Sequence, residues 1–225
     1  MAVIVPGWVR PWSDAARASF RGAGWVVPCL VGGLMMSLPG VNLLGIGYAG
    51  LIYRSCLRDE DPVAWPAWSD WKPILRAGLW IVGLLCAIIL AGALVGLVPS
   101  LFSASRPTFP SPYLWVIVVL IGAFFSPLMI ARAFVAGRLH AGFHLRALWR
   151  WFDQYFEGYL PQYGLSSALV IVAGVIETTS FVALVHAYSG WLALRHYLAS
   201  LGTFVVLVLA SRVLAGAIRP NAEKL

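Results

Sequence analysis

From Ala77 to Val98 the chain carries no charged side chain, a stretch that suits lipid far better than water. A helix needs about 20 apolar residues to cross a hydrocarbon core roughly 30 Å thick. Leu75–Val98, Tyr113–Val135 and Gly164–His186 meet that requirement, and Leu198–Ala217 does so despite Arg212. Composition agrees: 60% of the residues are apolar and 11% are charged, against roughly 25% charged in a soluble domain that must keep its surface hydrated. The net charge of +7 does not point to nucleic acid, because the cations sit singly beside apolar blocks and among tryptophans, as membrane flanks do. The expected fold is an all-α integral membrane protein, a single transmembrane domain over residues 1–225. Its expected partners are the lipid bilayer and other integral membrane proteins.

The first apolar region, Gly22–Cys56, is too long for one span and is interrupted at Pro39, Gly40, Val41 and Asn42, a turn signal. Two short helices over about 23–38 and 41–56, forming a hairpin, are expected, giving about six spans in all. Charge supports the hairpin. With it, only Arg106 and Arg195 of the 16 Lys and Arg residues fall on the far side. With one long span, Arg10, Arg17 and Arg21 cross over as well. The positive-inside rule then places both termini in the cytoplasm and the protein in the cytoplasmic (inner) membrane as a multi-pass chain. Met1–Gly7 has no basic region, so the first block does not read as a cleaved signal. The three cysteines, Cys29, Cys56 and Cys86, lack metal or disulfide spacing and read as small apolar residues packed between helices.

Amphipathic and aromatic segments flank the spans. Residues 1–22 form an N-terminal interfacial segment, and 139–160 a cytoplasmic-face amphipathic helix. Within the latter, Leu145, Leu148, Trp149, Phe152, Tyr155, Phe156 and Tyr159 share one face, opposite Arg146, Arg150, Asp153, Gln154 and Glu157. Trp12, Trp65, Trp68, Trp71, Trp149 and Trp151 are the expected interfacial anchors. The triplet Trp-Ser-Asp occurs at Trp12–Asp14 and at Trp68–Asp70, each eight residues before a glycine, and Trp151 with Asp153 gives a third, looser copy. This suggests internal hairpin repeats, each an interfacial aromatic segment followed by a helix out and a helix back.

Two stretches carry a family likeness. The first is Gly32-Gly-Leu-Met-Met-Ser-Leu-Pro-Gly-Val-Asn-Leu-Leu-Gly-Ile-Gly-Tyr48 with Arg54 and Pro66-Ala-Trp68-Ser-Asp-Trp71. The second is Ala131-Arg-Ala-Phe-Val-Ala-Gly-Arg138 with Ala141-Gly-Phe143, Leu148-Trp149 and Tyr159-Leu160. Over roughly residues 8–218 the chain resembles the polytopic bacterial and archaeal membrane proteins grouped as domain of unknown function 4013. That resemblance implies the topology and supplies no catalytic residues.

Chemistry is sparse in the spans. There is no nucleophile context such as G-x-S-x-G and no phosphate-cradling glycine loop, so the chain reads as non-enzymatic. His140 and His144 have helical spacing but no evident third ligand, and His186 and His196 read as interfacial. Glu177 stands apart. It lies near the middle of the fifth span, followed by Thr178, Thr179 and Ser180. An acidic group there costs about 2.5–3.5 kcal/mol on insertion scales, so a compensating contact is expected. Arg212 is the nearest cation by span order but lies closer to the inner end, which favours hydrogen bonds to hydroxyls such as Thr178 or Ser180. Three functions fit: an accessory or scaffold subunit of a membrane complex, which the sparse polar chemistry favours, a small transporter or channel using Glu177, and an interfacial lipid-modifying enzyme.

Overall fold

The structure, a computed structural model, describes residues 9–22, 24–58, 66–102, 112–187 and 189–218. Every regular element among them is helical: α1 (Arg10–Ser19), α2 (Val26–Ser37), α3 (Asn42–Leu57), α4 (Trp71–Phe102), α5 (Pro112–Ala136), a 3-10 turn (Leu139–Phe143), α6 (Leu145–His186) and α7 (Gly190–Ile218). The chain is an all-α membrane protein. Among the described residues four helices, α4 to α7, are long and apolar enough to cross a bilayer. The helices α2 and α3 are shorter, about 18 and 24 Å at 1.5 Å per residue, and neither alone matches a core of roughly 30 Å. The expected break between them is present. The Val41 and Asn42 amides bond back to the Leu38 carbonyl, and Gly40 takes a positive φ of 83°, which a residue with a Cβ adopts at a cost.

The helices pack as two compact units, one built from residues up to Leu79 and from Asp153 onward, the other from Trp80–Phe152. In the first unit α7 is the hub, with α1, α2 and α3 all packed on it. Small residues permit this. A Cβ on Gly32 would meet the Phe204 ring, and one on Gly33 would lie 2.9 Å from the Leu201 Cα. On α3, a Cβ at Gly47 would strike the Ile74 carbonyl and the Gly78 backbone, so α3 and the start of α4 touch main chain to main chain. Tyr48 is wholly buried beside that contact. It stacks on Trp68 with ring centroids 4.3 Å apart and donates its hydroxyl to the Pro66 carbonyl at 2.6 Å. The first family stretch is thus a clasp that fixes how the chain enters α4.

In the second unit the other family stretch forms a second clasp. The Arg132 Nε donates to the Ala141 carbonyl at 3.2 Å, and its guanidinium lies over the Trp151 ring at 5.6 Å. Gly142 sits so close to α5 that an added Cβ would come within 2.8 Å of the Met129 carbonyl. Phe124, Phe125 and Phe152 meet edge to face.

Several expectations need correction. Residues 139–160 are not a separate amphipathic helix: a 3-10 turn is followed by α6, which runs without interruption to His186. Its 42 residues span about 63 Å, and it contains Pro161. Leu148, Trp151, Tyr155, Tyr159, Gln162 and Ser166 are buried at steps of three and four, a stripe that passes from the aromatic segment into the span. The anchors divide. Trp71 and Trp149 are exposed, Trp68 is half-buried in its stack, and Trp12 and Trp151 are buried. Trp12 packs against Ala210 and Val213 of α7, so its ring is covered by protein. Trp65, Arg106 and the acidic run Asp59–Asp61 lie outside the described residues. The Trp-Ser-Asp copies fold differently: Trp12–Asp14 is inside α1 and Gly22 in a bend, whereas Trp68–Asp70 precedes α4 and Gly78 is inside it. Cys29 and Cys56 are buried as expected, but Cys86 is exposed.

Candidate functional site: a polar seam between α6 and α7

His196, Ser200 and Thr203 recur on α7 at steps of four and three, which puts them on one face of the helix. All three are buried. Residues at matching steps face them from α6, in antiparallel order. The Thr203 hydroxyl donates to the Ala173 carbonyl at 3.3 Å and shares itself with the Ala199 carbonyl of its own helix at 3.1 Å. One turn on, the Ser200 hydroxyl donates to Glu177 Oε1 at 3.0 Å. One further turn on, the His196 ring lies 5.4 Å from the Phe181 ring.

His196 also reaches α2, whose terminal carbonyls have no partner within the helix. Its Nε2 is 3.1 Å from the Ser37 carbonyl oxygen. A carbonyl can only accept, so Nε2 carries the hydrogen. The other ring nitrogen, Nδ1, is buried with no hydrogen-bond partner among the described residues. Leaving such an atom open costs about 1–3 kcal/mol. Tyr197 extends the contact by donating to the Leu30 carbonyl at 3.2 Å.

The structure therefore gives Glu177 an interhelical partner in place of the ones expected on its own helix. Ser180 is buried but donates to the Ile176 carbonyl at 2.7 Å, and Thr178 is exposed. Arg212 is buried on α7, twelve residues beyond Ser200 and so about 18 Å farther along the axis. Glu177 and Arg212 do not form one site. The sequence reading takes His196 as interfacial and passes over Ser200 and Thr203, although the three form a periodic polar stripe in an apolar helix. What hid them is that hydroxyls and a single histidine carry no insertion cost as conspicuous as that of a carboxylate.

The seam is only partly closed. Glu177 is half-buried, and Thr178 and Thr179 are exposed on a helix whose most apolar window is only 6% buried, against 50% for α7. Ile171, Val172, Val175 and Ile176 are exposed around them. The Thr179 hydroxyl satisfies itself on the Ile176 carbonyl at 3.0 Å. His140 and His144 stand with ring centroids 6.2 Å apart, and no group of three potential metal ligands comes together among the described residues.

No curated protein and no solved structure matches the chain. A family model does match, over residues 30–183. That is narrower than the 8–218 of the sequence likeness. It takes in both clasps and Glu177 and stops short of α7, leaving Ser200 and His196 outside. The matched stretch is well over half of the 225 residues, and the chain belongs to the family described as Protein of unknown function (DUF4013).

Proposed function

We propose that this protein is a non-enzymatic accessory subunit of a membrane complex, docking another integral membrane protein through the Glu177 face of α6. The observation that carries the reading is a carboxyl and two hydroxyl side chains half-open on a helix face that the chain itself leaves largely uncovered. A polar group facing lipid is costly, and a partner helix offering donors offsets that cost. In this reading the chain lies in the cytoplasmic membrane with both termini inside the cell, in accord with its charge distribution. A photo-crosslinking amino acid at Thr178 tests it. The expected result is a discrete protein adduct of fixed stoichiometry, while the same group at the exposed Leu120 of α5 captures lipid. Lipid adducts alone at Thr178 would remove the reading.

A second reading, a small proton-coupled transporter, draws support from the bond between Ser200 and Glu177, from His196 one turn along α7, and from the open Nδ1 of His196. Carboxyl, hydroxyl and imidazole at successive turns are the groups from which intramembrane proton relays are made. It requires that Glu177→Gln abolish coupled flux in liposomes while the protein stays folded. Flux that survives the substitution would eliminate it.

A further inference from the structure

The second unit holds a groove of about 560 Å³ between α4, α5 and the beginning of α6. Small residues open it: Ala87 and Ala91 line one wall and Gly122 the other. Along α5 it reaches from Val118 to Met129, about 16 Å at helical rise. That is close to half of a hydrocarbon core of roughly 30 Å, the depth of one leaflet. The lining is apolar apart from one charged residue, Arg146, in the first turn of α6. Arg146 is exposed, has no ion pair or hydrogen bond among the described residues, and is followed one turn later by Arg150, also exposed. Trp149 stands between them in sequence, lines the groove and is 64% exposed.

We propose that this groove seats one acyl chain of an anionic phospholipid, whose phosphate is held by Arg146 with Arg150 beside it. An apolar trough one leaflet deep, with cations at one end, matches a molecule that is apolar along its length and negative at its head. Guanidinium groups suit the phosphate, which they can bind through two parallel hydrogen bonds. Basic pockets between membrane helices are a known form of lipid recognition. The indole of Trp149 fits the level at which chain gives way to headgroup. The occupant is the bilayer's own lipid and not a soluble phosphate, because the groove's apolar surface far exceeds its charged mouth.

The test uses the full-length protein. Native mass spectrometry of wild type extracted from vesicles of phosphatidylcholine and phosphatidylglycerol should show phosphatidylglycerol retained and phosphatidylcholine lost. Arg146→Glu should weaken that retention by about tenfold or more, the scale of one charge-assisted hydrogen bond. Ala91→Phe fills the groove from its open side and should abolish retention while gel filtration stays unchanged. Because either variant can misfold, a reading on wild type stands beside them. Phosphatidylglycerol with a photoactivatable group on its acyl chain should label residues 87–91 and 118–129 above the rest of α4 to α7. Equal retention of both lipids, or labelling spread evenly over the four helices, overturns the proposal.

Discussion

At Glu177 two effects of different size compete, and their balance decides what a substitution does. The bond from Ser200 is an interhelical hydrogen bond in an apolar setting, worth on average about 0.6 kcal/mol and at most about 1.7. Keeping an acidic group at that depth costs about 2.5–3.5 kcal/mol on insertion scales. Ser200→Ala removes the donor and keeps the carboxyl, so the isolated protein should unfold earlier, by about 1 kcal/mol in a detergent melt. Glu177→Leu removes both the bond and the costly group, and should unfold no earlier than wild type while losing the adduct formed from Thr178. The opposite order would make the carboxyl a structural element of the chain itself, with no partner needed to explain it. The position of Glu177 was legible in the sequence because one acid in an apolar run is conspicuous. Its partner was not, because the pairing of Ser200 with Glu177 depends on the antiparallel register of α7 against α6, which packing sets and local pattern does not.

Among the helices, the contacts that fix geometry are made by glycine and by two clasps, and here the sequence was legible in a different way. The family stretch ending at Tyr48 marked the right residues, but nothing local says that Tyr48 reaches Pro66 and Trp68, or that Gly47 lies on Gly78. Those are consequences of two helix backbones touching, and they yield a sharp expectation. Gly47→Val adds three carbons where the Ile74 carbonyl already leaves no room for one, so α3 must move away from α4. The cost should fall in the range of about 1–3 kcal/mol for overpacking, read as a lower midpoint of thermal unfolding. Gly24→Val, at a position with open space around it, should cost far less. The continuity of α6 was hidden by Gly158, Pro161 and Gly164, which together look like a break. Proline removes one backbone hydrogen bond and crowds the preceding turn, but the buried stripe through Tyr155, Tyr159, Gln162 and Ser166 gives the helix packing on both sides of it. Spin labels at Gln154 and Ala168, both exposed, should lie about 21 Å apart, fourteen residues at helical rise. A broad distribution centred well below that would mean the helix breaks at Pro161.

For the whole molecule the open question is which side of the membrane each end of each helix occupies. Length and apolarity establish that α4 to α7 can span, and they are silent on direction. Charge is not silent. The cations of α1, Arg10 and Arg17, are exposed on a helix whose Trp12 is seated against Ala210 and Val213, near the end of α7. The structure thus brings the N-terminal cations to the same end of α7 as its own C-terminus, which is the pairing the hairpin of α2 and α3 requires. Had α2 and α3 formed one span, Arg10 and Arg17 would belong with the opposite end, near Gly190. Since Lys and Arg are retained on the cytoplasmic side, that end of α7 should face the cytoplasm, and the turn between α6 and α7 should face out. Single cysteines in a background lacking Cys29, Cys56 and Cys86 decide it. Ser189→Cys, exposed between α6 and α7, should react in intact cells with a thiol reagent that cannot cross the membrane. Ser69→Cys, exposed just before α4, should react only after the cells are opened. If Ser69→Cys is the one labelled from outside, the chain is inserted the other way round and the charge argument fails. Labelling of both from outside would mean that α4 to α6 do not cross the bilayer three times between those positions.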